Sequence, residues 1–111
     1  SYNLYILSNG FRELQEQKMR SAGVEGYFKK IVLSEDIGVH KPFPEIFYFA
    51  MSATQSELHT SLMIGDNWKN DVEGAKNVGM GNVYYNIKGE RGLPFKPGFD
   101  MRDWQDIASF L

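Results

Sequence analysis

Cysteine is absent from the 111 residues. That excludes disulfides, thiolate zinc sites, iron–sulfur clusters and cysteine nucleophiles. It also suits a reducing compartment. No charge of one sign dominates, because 12 Lys and Arg stand against 14 Asp and Glu, a net charge of −2. The basic stripe of a nucleic-acid footprint is therefore missing, and no nucleic acid polymer is expected as a partner. No apolar run approaches the ~18 residues of a membrane span. Ser1-Tyr2-Asn3-Leu4 lacks the basic start of a signal peptide. The expected location is cytoplasmic, with no membrane partner and a single domain over residues 1–111.

Short apolar runs alternate with helical stretches. Strands are expected at residues 3–7, 31–33, 62–64 and 83–85. Between them, Phe11, Leu14, Met19 and Ala22 fall on one face of a 3.6-residue period, and Gly23 is a helix stop. Pro42 and Pro44 open a second helix with its body at 46–53, where Phe43, Ile46, Phe47, Phe49 and Ala50 read as core. A third helix is expected at 72–78, a Gly- and Pro-rich loop at 89–98, and a closing amphipathic helix at 103–111 with Trp104 and Phe110 packed inward. This alternation specifies parallel βαβ units in an α/β, Rossmann-like sheet with flanking helices. Such sheets bind ligands beyond the carboxyl ends of their strands.

Two polar sets lie at those ends, and a lysine forms a third signal. Ile64-Gly65-Asp66 leaves a strand with a carboxylate, and Asp71 follows five residues on at a helix start. Two such carboxylates suit Mg²⁺, which takes few protein oxygens and keeps waters. Equally, Asp66 is a turn residue and Asp71 or Asn70 a helix cap. Ser8-Asn9-Gly10 offers a hydroxyl, an amide and a helix N-terminus, either a phosphate cradle or an ordinary cap. Lys41, before Pro42, is held extended, either reaching a neighbouring strand end or solvated at the surface. Trp68, between the two carboxylates, lines a pocket or packs on the protein surface.

Together, in this order, the three signals resemble the haloacid dehalogenase-like hydrolase superfamily, in the phosphatase branch with an early helical cap. Leu7-Ser8-Asn9-Gly10 resembles its second motif. The resemblance implies phosphate binding by Ser8, Asn9 and Gly10, with Ser8 holding the phosphoryl group. Val39-His40-Lys41-Pro42 resembles the third motif, making Lys41 the lysine that neutralises phosphate and carboxylates. Gly65-Asp66 through Asp71, continuing to Gly74-Ala75, resembles the fourth. It implies that Asp66 binds Mg²⁺ and that Asp71 binds its waters or orients Lys41. Lys41, Asp66 and Asp71 are thus the implied catalytic residues.

The family's first motif, a strand ending in Asp-x-Asp that carries the nucleophile, has no counterpart here. The six aspartates are Asp36, Asp66, Asp71, Asp100, Asp103 and Asp106. The cap is absent as well. The resemblance therefore makes the chain the C-terminal portion of a Mg²⁺-dependent phosphate monoester hydrolase of small phosphorylated metabolites, supplying the phosphate- and metal-binding motifs but not the nucleophile, its acid–base partner or one metal ligand. The competing reading is a non-catalytic association or ligand-binding domain derived from the same fold. In either case the strands at 3–7 and 62–64 lack the strand that lies between them in the family. They are expected to close up directly, or to borrow a strand from a missing N-terminal segment or a second copy.

Overall fold

The computed structural model describes residues 2–23, 25–103, 105 and 106. The chain divides into two compact units, residues 1–56 and 57–111.

The first unit is a βαβ unit with a second helix: β1 (Tyr5–Ser8), α1 (Arg12–Ala22), β2 (Lys30–Leu33) and α2 (Pro44–Thr54). β1 and β2 run parallel, Tyr5 opposite Lys30 through Ser8 opposite Leu33. Pro44 starts α2, where its missing N–H costs no hydrogen bond. Val32, Leu33, Ile46, Phe47, Ala50 and Met19 form the buried core. Phe49 is half-buried. Phe43, expected in this core, is exposed, and its ring meets His40 edge-on at 5.2 Å. It precedes the helix, so the helical period that buries Ile46 and Phe47 does not reach it.

The apolar stripe of α1 departs from expectation in the same way. Met19 is covered, whereas Phe11 is 70% and Leu14 46% exposed. The helix is held at its start by polar contacts instead. Glu35 Oε1 accepts the Arg12 N–H at 2.8 Å, and the Arg12 guanidinium reaches both oxygens of Asp36 at 2.9 and 3.0 Å. Asp36 also accepts the Leu33 N–H at 2.9 Å. That bond, together with Arg12, holds the Asp36 carboxyl below its ordinary pKa against the opposing effect of burial.

α2 ends on Gln55 at φ 53°, left-handed backbone that an L side chain adopts at a cost. Gln55→Gly is expected to stabilise the protein by about 0.5–1 kcal/mol, measured by urea unfolding. An unchanged or lower midpoint would refute that account.

The second unit carries β3 (Leu62–Gly65), a π-helical turn (Trp68–Glu73) running into α3 (Gly74–Asn77), β4 (Gly81–Tyr85) and β5 (Phe99–Met101). All three strands are parallel in the order β3-β4-β5. Val72, Ala75, Val78, Met80, Val83, Tyr84 and Met101 form its core. The helix expected at 72–78 thus begins at Trp68, because Asn67 caps it by accepting the Asn70 N–H at 2.9 Å. Asn67, not Asp71 or Asn70, is the cap. β5 is a strand that the periodicity did not indicate. Residues 86–98 cross from β4 to β5 as loop, anchored by two asparagines. Asn86 exchanges two hydrogen bonds with the Glu90 backbone at 2.8 and 3.0 Å, and Asn82 accepts the Gly98 N–H at 2.8 Å. Most of the expected closing helix, including Trp104 and Phe110, lies outside the described residues.

The architecture is the expected one, parallel sheet with flanking helices. Among the described residues β1 pairs with β2 alone and β3 with β4 alone. Each keeps one open edge, and both strands are only half-buried or exposed where β2 and β4 bury their centres. No described helix is long and apolar enough to cross a membrane.

Candidate functional site

In the first unit, the turn after β1 is built around Ser8. Its Oγ accepts the Gly10 N–H at 3.0 Å and the Gln15 Nε2–H at 2.9 Å. With two donors aimed at the oxygen, the hydroxyl's own proton is directed elsewhere, ready to be donated to an anion. A Cβ at Gly10 would lie 2.6 Å from Gln15 Nε2, so the Gln15 side chain would have to move from the Ser8 oxygen. Its amide is engaged by Ser8 within the turn. The α1 N-terminus is engaged as well, with the Glu35 carboxylate on the Arg12 N–H. Gln15 and Glu35 are not marked by any sequence motif, because each acts from a neighbouring helix or turn that only the fold brings near.

Asn9 does something other than cap. Its Oδ1 accepts the Lys41 N–H at 2.8 Å and its Nδ2 donates to the Lys41 carbonyl at 3.1 Å. The amide side chain thus reads the Lys41 backbone as a neighbouring strand would, across 32 residues of sequence. His40 Nδ1 lies 2.9 Å from the same carbonyl. Lys41 is 8% exposed, so the solvated-surface alternative is excluded. An ammonium so placed needs anionic or hydrogen-bonding company to offset desolvation.

In the second unit, the segment after β3 folds back on itself. Asp71 is 5% exposed, and its Oδ2 accepts the Asn67 N–H at 3.1 Å. Its carboxyl fills the space beside Gly65, where any Cβ would overlap it. Gly65 and Asn67 therefore both touch the Asp71 carboxyl, and Asp66 sits between them in the chain with an exposed side chain. The Tyr84 phenol on β4 senses the same region. Burial pushes its pKa up, and the charges of Glu90, Asp100 and Asp66 push it further.

These residues fit part of a magnesium site. Asp66 and Asp71 are hard oxygen donors within one short segment, and Mg²⁺ binds through one or two carboxylates with waters completing its octahedron. Among the described residues no third Asp, Glu, His or Cys groups with them.

Trp68 packs rather than lining an open pocket. Its ring lies 5.1 Å from that of Tyr84 and 4.6 Å from that of Phe95.

Residues 1–84 match the profile of the haloacid dehalogenase-like hydrolases. The chain is 36% identical over 84 residues to glyceraldehyde 3-phosphate phosphatase of Pyrococcus abyssi, covering 76% of this chain and 35% of that protein. It is 35% identical over 82 residues to pyrimidine 5'-nucleotidase YjjG of Escherichia coli, covering 73% and 36%. Among solved structures, the magnesium-bound orthorhombic form of YfnB from Bacillus subtilis superposes with a TM-score of 0.90 at 28% identity, covering 97% of this chain and 47% of that one. The chain thus spans between about a third and a half of the length of these relatives. With its profile match over most of its length, the chain belongs to the haloacid dehalogenase-like hydrolase family.

Proposed function

We propose that this chain is the phosphate- and magnesium-binding portion of a phosphate monoester hydrolase acting on small phosphorylated metabolites in the cytoplasm. The observation that carries the reading is the Asn9 clamp on Lys41, which ties the hydroxyl turn to the lysine. The two relatives named as a phosphatase and a nucleotidase support the same class.

Each residue has a distinct task. Ser8 donates its hydroxyl proton to a phosphoryl oxygen while Gly10 and Gln15 hold its oxygen. Lys41 neutralises phosphoryl charge from a fixed backbone, and Asn9 does the fixing. Asp66 and Asp71 would hold Mg²⁺, Asp66 directly and Asp71 from its buried seat beside Gly65. Bound there, the metal would supply charge to a phosphoryl oxygen and help orient it. The attacking carboxylate and its acid–base partner come from residues outside these 111, since no Asp-x-Asp is among them. A segment carrying them, or a second copy of the chain, would pair with the open edges of β1 and β3.

The test is a pair of titrations followed by amide chemical shifts. Mg²⁺ is expected to move the signals of 65–71 in the wild type and not in Asp66→Asn. Inorganic phosphate is expected to move those of 8–10 and 41, with at least a tenfold loss of affinity in Lys41→Met, about the 1.4 kcal/mol of one charge-assisted bond. Neither ligand binding would favour the association domain instead. Hydrolysis of an aryl phosphate by these residues alone, lost in Asp66→Asn, would refute the assignment of the nucleophile to residues outside them.

A further inference from the structure

We propose that Phe95 is a positioning residue for the Asp66–Asp71 segment, acting through Trp68 from outside the family's motifs. The proposal rests on the magnesium reading only for its metal-binding consequence. Trp68 lies in the chain between the two carboxylates, and its ring reaches two others outside the segment, Tyr84 on β4 and Phe95 in the crossover loop. Its indole N–H is buried with no hydrogen-bond partner, the one such side-chain atom among the described residues. No hydrogen bond therefore orients Trp68, and ring packing decides where it sits. Tyr84 is fixed by β4, so Phe95 is the movable wall.

Phe95 is itself held. The Lys76 ammonium on α3 stands 4.9 Å from its ring centroid, an attraction between a cation and the negative ring face. The loop carrying it is pinned at both ends, by Asn86 on Glu90 and by Asn82 on Gly98. Lys76, Phe95 and Trp68 thus form a chain of contacts from α3 across the loop to the carboxylate segment. Phe95 lies beyond residues 1–84, which carry the family match. The segment's internal bonds, Asn67 N–H to Asp71 and Asn70 N–H to Asn67, close it upon itself. Trp68 is the strut that fixes the closed segment to the sheet. Loss of the Phe95 ring frees that strut, letting Asp66 and Asp71 sample arrangements that share no cation.

The experiment compares wild type, Phe95→Ala, Phe95→Leu and Phe95→Tyr by amide hydrogen exchange and by Mg²⁺ titration. In Phe95→Ala the Asn67, Asn70 and Asp71 amides are expected to exchange about three- to tenfold faster, and Mg²⁺ to bind about three- to tenfold more weakly. Phe95→Tyr, which keeps the ring, is expected to restore both. Should Phe95→Ala fail to fold, Phe95→Leu carries the same comparison. Unchanged exchange at those three amides would overturn the proposal. So would acceleration shared equally by Val83 in β4, which would mark a general loss of stability. A wild type that binds no Mg²⁺ would remove the metal reading, and the exchange comparison alone would then uphold or overturn the role of Phe95.

Discussion

Gly65→Ala is expected to cost about 1–3 kcal/mol of stability, as overpacking does, and to weaken Mg²⁺ binding more than tenfold. The Cβ it adds would occupy the space of the Asp71 carboxyl. Asp71 is buried and bonded to the Asn67 N–H, so it can yield only by leaving that seat. Displacing it leaves the Asn67 N–H without its acceptor and takes the Asp71 carboxyl from its seat beside Gly65. Urea unfolding and calorimetric Mg²⁺ titration read the two effects. The double variant Gly65→Ala with Asp71→Gly distinguishes the cause. Relief of the overlap should return part of the stability, while Mg²⁺ binding stays lost. A double variant as unstable as the sum of its parts would place the strain elsewhere.

Asn9→Leu is expected to lower stability by about 2 kcal/mol, because it removes one partner from each of two backbone groups of a buried residue. The Lys41 N–H loses its 2.8 Å acceptor, whereas the carbonyl keeps the His40 ring nitrogen at 2.9 Å. Asn9→Asp keeps the acceptor for the Lys41 N–H but sets a carboxylate oxygen against the Lys41 carbonyl, so a smaller loss than for Leu is expected. Phosphate affinity should fall in both variants, in Asp by repulsion from the added carboxylate and in Leu by loss of the clamp. Equal losses of stability for Asp and Leu would mean that the Lys41 carbonyl, not its N–H, is the group that matters.

Much of this was legible in the sequence, and the reasons differ by element. The four longer strands announced themselves as apolar runs bounded by turn residues, and parallel pairing followed from the helices between them. β5 did not, because Phe99-Asp100-Met101 is three residues long and follows a loop rich in glycine and proline. The stripe of α1 was real as a pattern, but a pattern says which face is apolar and not whether anything covers it. Phe11 and Leu14 stand exposed for that reason.

The site residues divide along a similar line. Ser8, Asn9 and Asp66 were visible because they lie at strand ends, where a parallel sheet collects its polar groups, whereas Asp71 was visible from its spacing to Asp66 and Lys41 from the proline after it. The task of each one was less visible. That Asn9 grips Lys41, that Gln15 and Gly10 orient the Ser8 oxygen, and that Asn67 rather than Asp71 caps the turn are all contacts between partners. Spacing along one chain carries little information about such pairs. Trp68 was placed correctly between the carboxylates, yet its partner Phe95 sits 27 residues on (95 − 68) in a loop whose composition signals only irregularity.

The π-helical turn at Trp68–Glu73 has a bearing on which changes of length this chain can tolerate. A π turn holds one residue more than an α turn, and such turns persist where that residue is put to use. Deleting one residue there would let the turn relax to ordinary α geometry, keeping α3 in place but shifting the residues within the turn. Asp71 would swing away from Gly65, and Trp68 from its two rings. Exposed Lys69 can change in kind with little consequence. Its place in the count is fixed, so at such an exposed position substitutions should accumulate among descendants while insertions and deletions do not.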